Sequence, residues 1–300
     1  MRFKKTMQNI DLIAKNIKIP TAIVGADNEL SLSGAHEAYK LGLIDPILIG
    51  NKSKINTYCD MNNWSPDRPI IIADDEKTAS KNACELASRN EVKLIVKGHV
   101  HTDVLMSEYV KKSYSLREKG TKLSHIWYLS FKNGDIRPII ITDGALNINP
   151  SLETKKHILK NVINFVDKIP TFDQKIAILS ATEENLPQMQ SSVDAAEITS
   201  WANTEFKNID IFGPLAFDNA ISLDAATIKG IQNSVAGRAN VFLVPNIETG
   251  NAIVKVCVNL MGATAGGFIV GGKIPVVITS RSDDLKSRLS SIINAILSLN

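Results

Sequence analysis

The sequence predicts an α/β protein with two α/β lobes, each built on a mainly parallel sheet. Eleven short apolar runs rich in β-branched residues recur along the 300-residue chain, and amphipathic stretches separate them. Most of the runs are continuously apolar, which is typical of strands buried on both faces of a parallel sheet. Strands that alternate with helices indicate the α/β class. Eleven strands are more than a single twisted open sheet usually contains. We therefore expect two lobes.

The predicted strands share this apolar composition. In chain order they are TAIVGA (21–26), PILIG (46–50), PIIIAD (69–74), VKLIVKG (92–98), IWYLSF (126–131), RPIIITDG (137–144), KIAILSA (175–181), NIDIFGP (208–214), NVFLVPN (240–246), GFIVGG (267–272) and PVVITS (275–280).

Amphipathic patterns predict the helices between these strands. The first, over residues 31–42, opens with Ser31 and closes at Gly42, two residue types suited to capping. Residues 152–167 place their apolar side chains on one stripe. Further helices are predicted over VLMSEYVKKS (104–113) and residues 191–206, 216–230, 248–263 and 284–299. The turn-rich segment KNGDIRP (132–138) is the best candidate for the boundary between the lobes.

Composition places the chain among ordinary globular proteins. Hydrophobic residues make up 44% and charged residues 22%, and a formal net charge of +3 gives no basis for binding nucleic acid or a membrane surface. Three widely spaced cysteines fit a reducing compartment and show no spacing suited to zinc. The basic N-terminus lacks the apolar stretch of a secretory signal. The most apolar window, residues 253–272, is interrupted by Lys255, Asn259 and glycines and so falls short of a membrane span. We predict a cytoplasmic protein.

Polar residues directly follow several predicted strands, and open parallel sheets bind ligands beyond the carboxyl ends of their strands. After VKLIVKG come His99, His101, Thr102 and Asp103. The histidines are candidates for metal ligands, for general acid/base groups or for plain loop residues. Thr102 or Asp103 is also placed to cap the following helix, whose N-terminus suits an anion.

Four further clusters follow later strands, and each has a structural interpretation beside a ligand-binding one. Turns explain aspartate and asparagine, helix caps explain serine, and the macrodipole explains an acidic first turn. The same groups are suited to hydrogen-bonding a ligand, and a glycine at a helix start permits close approach of another helix or of a ligand. The clusters are Asp143 with Asn147, Ser191 with Ser192 and Asp194, Asp218 with Asn219, and Asn246 with Gly250 and Asn251.

The most distinctive constellation of polar residues follows the last predicted strand, PVVITS. Ser280 and Arg281 stand there beside Asp283 and Asp284. An arginine offers a planar fork that matches phosphate or carboxylate. Either aspartate is suited to cap the next helix or to act as a general base.

Signatures of other common chemistries are absent from the sequence. It contains no GxGxxG motif after a strand, no GxxxxGK[ST] loop, no GxSxG elbow and no HExxH motif. The glycine-rich segment 262–272 lacks the spacing of a nucleotide motif and indicates tight packing of a helix against a strand.

Taken together, these segments resemble the phosphate acetyltransferase/phosphate butyryltransferase family over most of the chain. KGHVHTDVLM (97–106) is similar to the branch that includes the acetyltransferase part of bifunctional enoyl-CoA hydratase/phosphate acetyltransferases, which favours acetyl over butyryl. The other similar segments are LGLIDPILIG (41–50), LSHIW (123–127), ITDGALNINPSLETK (141–155), LSATE (179–183), SSVDAA (191–196), GPLAFDNAIS (213–222), VAGRANVFLVPNIETGN (235–251) and ITSRSDD (278–284).

The resemblance implies reversible transfer of an acyl group between coenzyme A and inorganic phosphate. Acyl-CoA is then a substrate, and no permanently bound cofactor or metal is expected. The family fold implies two α/β/α lobes with the active site in the cleft between them, and a homo-oligomer. Because the C-terminal helix is expected to return to the first lobe, residues 1–137 with 285–300 form one lobe and residues 138–284 the other.

The resemblance also implies roles for individual residues. Ser280 and Arg281 match the family's Ser-Arg pair, which binds and orients phosphate or acyl phosphate. The base that takes the proton of the CoA thiol is an aspartate shortly after that pair, so Asp283 and Asp284 compete for this role. An arginine that acetyltransferases carry a few residues after His101 is absent, so phosphate binding rests more on Arg281 and backbone amides. The other predicted substrate-binding residues are His101, Thr102, Asp103, Asp143, Asn147, Ser191, Ser192, Asp218, Asn219, Asn246, Gly250 and Asn251.

Three alternatives stay open at this point. A phosphate butyryltransferase differs only in its acyl donor, and the size of an acyl pocket cannot be read from the sequence. A metal-dependent, NAD-linked decarboxylating dehydrogenase shares the two-lobed α/β plan but predicts acidic metal ligands for which no motif is found. A CoA-binding regulator that kept the fold predicts binding without turnover.

Overall fold

The computed structural model describes residues 18–117, 119–131, 137–169, 172–279 and 283–299. The strands are β1 (Ile19–Val24), β2 (Ile44–Gly50), β3 (Ile71–Ile72), β4 (Leu94–Lys97), β5 (Ser124–Ser130), β6 (Ile139–Thr142), β7 (Lys175–Leu179), β8 (Asp210–Leu215), β9 (Val241–Leu243), β10 (Thr264–Val270) and β11 (Val276–Val277). The α-helices are α1 (Glu29–Lys40), α2 (Lys52–Met61), α3 (Glu76–Ser88), α4 (Thr102–Tyr109), α5 (Leu152–Val166), α6 (Gln190–Glu205), α7 (Phe217–Ile221), α8 (Leu223–Ile228), α9 (Ile247–Asn259) and α10 (Leu285–Leu297).

All eleven predicted strands are present, and most pair in parallel with helices between them. This confirms the α/β class. Antiparallel pairing also occurs, between β5 and β6 and between β10 and β11. The buried strands are apolar on both faces because helices separate each parallel strand from the next.

Four predicted helices differ from the structure. The helices predicted over 104–113 and 248–263 end four residues early, at Tyr109 and Asn259. Helix α1 begins before Ser31 because Asn28 is extended and its side chain accepts a hydrogen bond from the Ser31 N–H at 2.8 Å. Its end is as predicted, since Gly42 takes a φ of +72°. The predicted helix 216–230 divides into α7 and α8 because Ser222 adopts an extended backbone and caps α8 with its side chain.

The first compact unit comprises Met1–Leu123 and Gly266–Asn300. Its strands lie in the order β3-β2-β1-β4-β11-β10, and β11 runs parallel to β4. Val24 and Lys97 are paired at the carboxyl ends of β1 and β4, and Val96 is paired with Val277 of β11. Three strands therefore end side by side at one edge of this sheet.

The second compact unit comprises Ser124–Ala265, with strands in the order β5-β6-β9-β7-β8. Strands β6, β9, β7 and β8 are parallel, so their carboxyl ends also share one edge. Its core is apolar and includes Leu129, Phe242 and Val254 from two strands and a helix. The loops after these four strands carry the predicted second-lobe clusters.

The bounds of the two compact units differ from the bounds predicted for the two lobes. Strand β5 groups with the second unit because it pairs with β6, with Tyr128 opposite Ile140. Strand β11 groups with the first unit because it pairs with β4. The predicted break at 132–138 lies mostly outside the described residues. The lobe boundaries and the interlobe cleft remain predictions.

Glycine packing explains part of the segment 262–272. A Cβ at Gly266 would lie 2.6 Å from Ser290 Oγ and 2.9 Å from backbone atoms of that residue, so β10 and α10 approach closely only without a side chain there. This confirms the predicted tight contact of a helix with a strand.

Within the described residues, no helix is both long and apolar enough to cross a membrane.

Candidate active site

A pocket opens in the first unit where β1, β4 and β11 end side by side. It leaves ≈190 Å³ in which the centre of a water molecule can move. We call it the outer pocket. Its described lining residues are Asn28, Leu30, Ser31, Lys97, Gly98, His99, Val100, Thr279 and Arg288.

Two basic side chains, Lys97 and Arg288, line the outer pocket although both are only 7% exposed. Lys97 Nζ donates hydrogen bonds to the carbonyl oxygens of Val100 at 3.0 Å and of Gly98 at 3.3 Å. Arg288 Nη1 donates to Thr279 Oγ1 at 2.9 Å, and its Nε donates to the Asp283 carbonyl oxygen at 3.3 Å. Burying such groups is costly unless they are hydrogen-bonded, and these contacts reduce that cost.

Close backbone approach shapes the floor of the outer pocket. A Cβ at Gly98 would lie 2.6 Å from the carbonyl oxygen of Gly25 and 2.8 Å from that of Val24. Gly25 itself takes a φ of +69°, which glycine adopts without strain. Only glycine at both positions lets the chain after β4 pass so near the chain after β1.

The electrostatics of the outer pocket favour an anion. Burial lowers the pKa of the Arg288 guanidinium and Asp283 opposes that shift, yet an arginine stays protonated in proteins near neutral pH. The hydroxyls of Ser31 and Thr279 and the amide of Asn28 lie beside it. Among the described lining residues there is no carboxylate. A small anion with several oxygens is the ligand that fits this set of groups.

The two histidines after β4 each pair with a carboxylate. His99 Nδ1 lies 3.2 Å from Asp27 Oδ1, and His101 Nδ1 lies 2.8 Å from Glu76 Oε2. The backbone N–H of His101 also donates to Glu76 at 2.9 Å, and these hydrogen bonds lower the pKa of Glu76. In the parts of the chain that the structure describes, no group of three or more histidine, cysteine or acidic residues could hold a metal ion.

The capping prediction for the helix after these histidines is wrong. The N-cap of α4 is His101, and neither Thr102 nor Asp103 caps it, because both lie inside the first turn. Asp103 is exposed, and Thr102 is half-buried. Of the four polar residues singled out after β4, His99 lines the outer pocket. His101, Thr102 and Asp103 follow it in the sequence but are not among the lining residues.

Asp143 holds its own loop together. Its Oδ1 accepts from the N–H groups of Ala145 at 3.0 Å and Leu146 at 2.9 Å. Its Oδ2 accepts from the His125 N–H at 2.9 Å and from Asn147 Nδ2 at 2.7 Å. The carboxylate is buried and has four donors, so the structural interpretation of Asp143 accounts for its position.

His125 on β5 is a buried histidine next to this loop. It is 1% exposed, its ring lies 4.7 Å from that of Trp127, and neither ring nitrogen has a hydrogen-bond partner among the described residues. Burial lowers the pKa of His125 below its ordinary value of 6.5, and Asp143 opposes that shift. The folded protein therefore holds this ring neutral.

Serines of the second unit form local contacts at the start of α6. Ser191 Oγ lies 2.9 Å from Ser180 Oγ at the end of β7. Ser192 is fully buried, and its Oγ accepts from the Leu186 N–H at 2.9 Å. Asp194 pairs with Lys155 Nζ at 2.7 Å in a buried ion pair between α5 and α6. Ser191 is the member of this cluster that stays half-buried.

Asp218 and Asn219 differ in exposure at the start of α7. Asp218 is exposed, whereas Asn219 is fully buried. Asn219 Nδ2 donates to Glu183 Oε2 at 3.4 Å, and Glu183 also accepts from Lys229 Nζ at 2.8 Å, which lowers the pKa of Glu183. The side-chain oxygen of Asn219 has no hydrogen-bond partner among the described residues.

Asn246, Gly250 and Asn251 form the start of α9. Asn246 Oδ1 caps the helix by accepting from the Thr249 N–H at 3.0 Å. A Cβ at Gly250 would lie 2.7 Å from the Cα of Gly144, so the group that approaches Gly250 is the loop after β6. Asn251 is half-buried. This edge of the second unit thus brings the Asp143 loop and the start of α9 together.

The constellation after β11 is only partly described. Ser280 and Arg281 lie outside the described residues. Asp284 is the N-cap of α10, and its side chain accepts from the Ser287 N–H at 2.8 Å. Asp283 is half-buried and contacts Arg288 through its carbonyl oxygen. Of the two aspartates, Asp283 is therefore the one that has no capping role.

Sequence reasoning missed the side chains that line the outer pocket, above all Lys97, Thr279 and Arg288. A signal was available for Lys97, because a lysine at the end of an apolar run is costly to bury without a purpose. Arg288 gave a similar signal, since it precedes Ile292 by four residues on the apolar stripe of α10. Thr279 offered none, because threonine is common in strands.

Comparisons with known proteins agree over most of the chain. A family model described as "Phosphate acetyl/butaryl transferase" matches residues 68–297. The chain is 38% identical over 280 residues to a phosphate acetyltransferase of Rickettsia felis, which covers 92% of this chain and 80% of that relative. It is 33% identical over 282 residues to a phosphate butyryltransferase of Clostridium acetobutylicum, which covers 92% of both chains. A crystal structure of a branched-chain phosphotransacylase from Enterococcus faecalis V583 matches with a TM-score of 0.82 and 31% identity, over 94% of this chain and 99% of that one.

The buried neutral His125 predicts how stability depends on pH. In the unfolded chain this histidine takes up a proton near pH 6.5, whereas burial opposes protonation in the folded chain. The free energy of unfolding should therefore fall as the pH drops below 6.5, by about 1 kcal/mol between pH 7 and pH 5.5. Urea unfolding of the wild type and of His125→Leu at both pH values measures this. The variant should lose most of the difference, and His157→Gln, at a half-buried position on α5, should keep it. An unchanged pH difference in His125→Leu would contradict the assignment.

Proposed function

Because the chain belongs to the phosphate acetyl/butyryl transferase family, we propose that it is a phosphate acetyltransferase. In this reaction an acetyl group passes reversibly between acetyl-CoA and inorganic phosphate, which gives acetyl phosphate and CoA. Acyl-CoA is a substrate, and no resident cofactor takes part. The similarity to the Rickettsia felis acetyltransferase supports acetyl over butyryl.

The observation that carries this proposal is the outer pocket with its two buried basic side chains. Inorganic phosphate and the phosphate end of acetyl phosphate are small anions with several oxygens. Lys97 and Arg288 supply charge-assisted donors. Ser31 and Thr279 line the same pocket, and their hydroxyls donate to backbone carbonyl oxygens of Asn28 and Lys97. Thr279 directly precedes Ser280 and Arg281 in the sequence, so the predicted Ser-Arg pair starts one residue after a lining residue.

The chemistry needs a base, an oxyanion site and close placement of two substrates. A thiol is mostly protonated at neutral pH, so a base that removes its proton makes it a nucleophile. The CoA thiolate attacks the carbonyl carbon of acetyl phosphate and phosphate leaves. In the opposite direction phosphate attacks the thioester, and the CoA thiolate leaves and takes a proton back. We assign that role to Asp283 rather than Asp284, because Asp284 caps α10. We assign Arg281 to the oxygen that becomes negative in the tetrahedral intermediate. Holding phosphate and the thioester together lowers the entropic part of the barrier.

The function is tested by phosphate-dependent release of CoA from acetyl-CoA, followed with a thiol reagent, with butyryl-CoA measured in parallel. We expect release that requires phosphate and is faster with acetyl-CoA. Faster release with butyryl-CoA would keep the reaction and change the acyl group. No release with either thioester, while CoA still raises the melting temperature, would favour a CoA-binding protein without turnover.

Lys97 has a predicted part in binding phosphate. Lys97→Met leaves an unbranched side chain that is one atom shorter and removes its donors, so KM for phosphate should rise about tenfold or more. Lys93→Met is the matched control, because Lys93 lies in the same apolar run but is exposed, and it should leave KM unchanged. Steady-state kinetics at saturating acetyl-CoA measures both. A wild-type KM for phosphate in Lys97→Met would show that phosphate does not bind at this side chain.

We also propose that the protein is a cytoplasmic homo-oligomer. Helix α9 and the turn after it expose Val256, Leu260 and Met261, and Leu260 is 80% exposed. Clustered exposed apolar side chains mark interaction surfaces, and a second copy of the chain offers an equally apolar partner face.

The oligomer is tested by light scattering after size-exclusion chromatography. The wild type should have at least twice the 32.8 kDa mass of one chain, and Leu260→Lys should approach 32.8 kDa. Met61→Lys is the control, because Met61 is 79% exposed on α2, far from α9 in sequence. A monomeric wild type, or an unchanged mass in Leu260→Lys, would contradict the proposed interface.

A further inference from the structure

A second, smaller cavity adjoins the outer pocket. Five residues line both spaces: Ser31, Lys97, Gly98, Thr279 and Arg288. Behind them the smaller space is lined by Ile23, Gly34, Ala35, Val96 and Ile292. We call it the inner cavity. Its far wall is apolar, whereas the side that it shares with the outer pocket is polar and basic.

The inner cavity has room for one small group. It leaves ≈10 Å³ for the centre of a water-sized sphere, against ≈190 Å³ in the outer pocket. About that much space is needed to hold a single water molecule, and a methyl group is of similar size. A chain of three carbons does not fit into it without moving the walls.

The walls of the inner cavity resist such movement. Ile23, Ala35 and Ile292 are at most 3% exposed and belong to β1, α1 and α10, and α1 packs against α10. Buried cores are close-packed, so an added methylene forces side chains off their preferred rotamers. The size of the inner cavity is therefore a constraint on what enters it.

The two adjoining spaces match the two ends of one kind of molecule. We propose that the inner cavity receives the methyl group of an acetyl substrate while the outer pocket holds the phosphate, so that Ile292 and its neighbours limit the length of the acyl chain. This inference rests on the proposed function and names its acyl group. In acetyl phosphate, one carbonyl carbon carries a methyl group on one side and an anionic phosphate on the other. Longer acyl groups, from propionyl upward, present one or more further carbons to the same wall.

The test enlarges the inner cavity and measures the choice of acyl group. Ile292→Val removes one methyl from the wall, and Ile292→Ala removes more. We expect kcat/KM for propionyl-CoA relative to acetyl-CoA to rise about tenfold or more in these variants, the effect of one methylene in an apolar pocket. Ile293→Val is the matched control, because Ile293 is equally buried on α10 but does not line the cavity. Its ratio should equal that of the wild type.

A second variant fills the inner cavity. A Cβ at Gly34 would lie 3.5 Å from Arg288 Cδ and 3.8 Å from its Cβ, which are ordinary contact distances. Gly34→Ala should therefore fold, with a melting temperature equal to or above that of the wild type, because alanine is favoured over glycine inside a helix. We expect it to lower kcat/KM for acetyl-CoA about tenfold or more, since one added methyl takes the space of the substrate methyl.

The outcomes separate this inference from the proposed function. A wild type that releases no CoA from any thioester overturns both. A wild type that turns over acetyl-CoA, with a propionyl-to-acetyl ratio that Ile292→Val and Ile293→Val leave equally unchanged, overturns only the inference. Wild-type turnover of acetyl-CoA by a folded Gly34→Ala overturns it as well. A raised ratio in Ile292→Val together with slow acetyl transfer in Gly34→Ala supports it.

Discussion

Two linked hydrogen bonds tie the Arg288 side chain to the backbone of Lys97, and the arrangement of the outer pocket depends on them. Arg288 on α10 donates to the Thr279 hydroxyl, and that hydroxyl donates to the Lys97 carbonyl oxygen across a separation of 182 residues. All three residues are buried, which strengthens these bonds relative to bonds in water. The bonds join α10 to β4 through Thr279, two residues after the end of β11, and all three residues line both the outer pocket and the inner cavity.

Much of the fold could be predicted from the sequence because buried parallel strands leave a strong pattern. Each apolar run became a strand, and the stripe of α5 buries Ile158, Leu159 and Val162 as expected. Helices α2 and α3 were not predicted. Helix α2 buries only Ile55 and Cys59, and the buried face of α3 consists mostly of small residues such as Ala79 and Ala83, so both patterns give little contrast. Helix ends were harder still, since Asn28 and Ser222 act through single hydrogen bonds.

The candidate site was predictable at the level of the sheet edge and less so for individual side chains. Polar residues after strands did gather at the carboxyl edges, but many are used within the protein. Asp143 binds its own loop, and Asn246 and Asp284 cap helices. A sequence pattern does not distinguish a carboxylate that faces a ligand from one that faces backbone amides. Lys97 and Arg288 were not predicted because neither stands in a polar cluster directly after a predicted strand. Lys97 lies inside the apolar run 92–98, and Arg288 lies inside the predicted helix 284–299.

The discontinuity of the first unit has a consequence for how the protein is made. Strand β11 and α10 leave the ribosome after the whole of the second unit, which is continuous in the chain and so can fold earlier. Until then β4 is an open edge with unpaired backbone groups, which invites pairing with other chains. The nascent protein thus passes through a stage in which one half is complete, the other is vulnerable to aggregation, and Arg288 has not yet arrived. Synthesis that stops before α10 yields a chain without an assembled outer pocket.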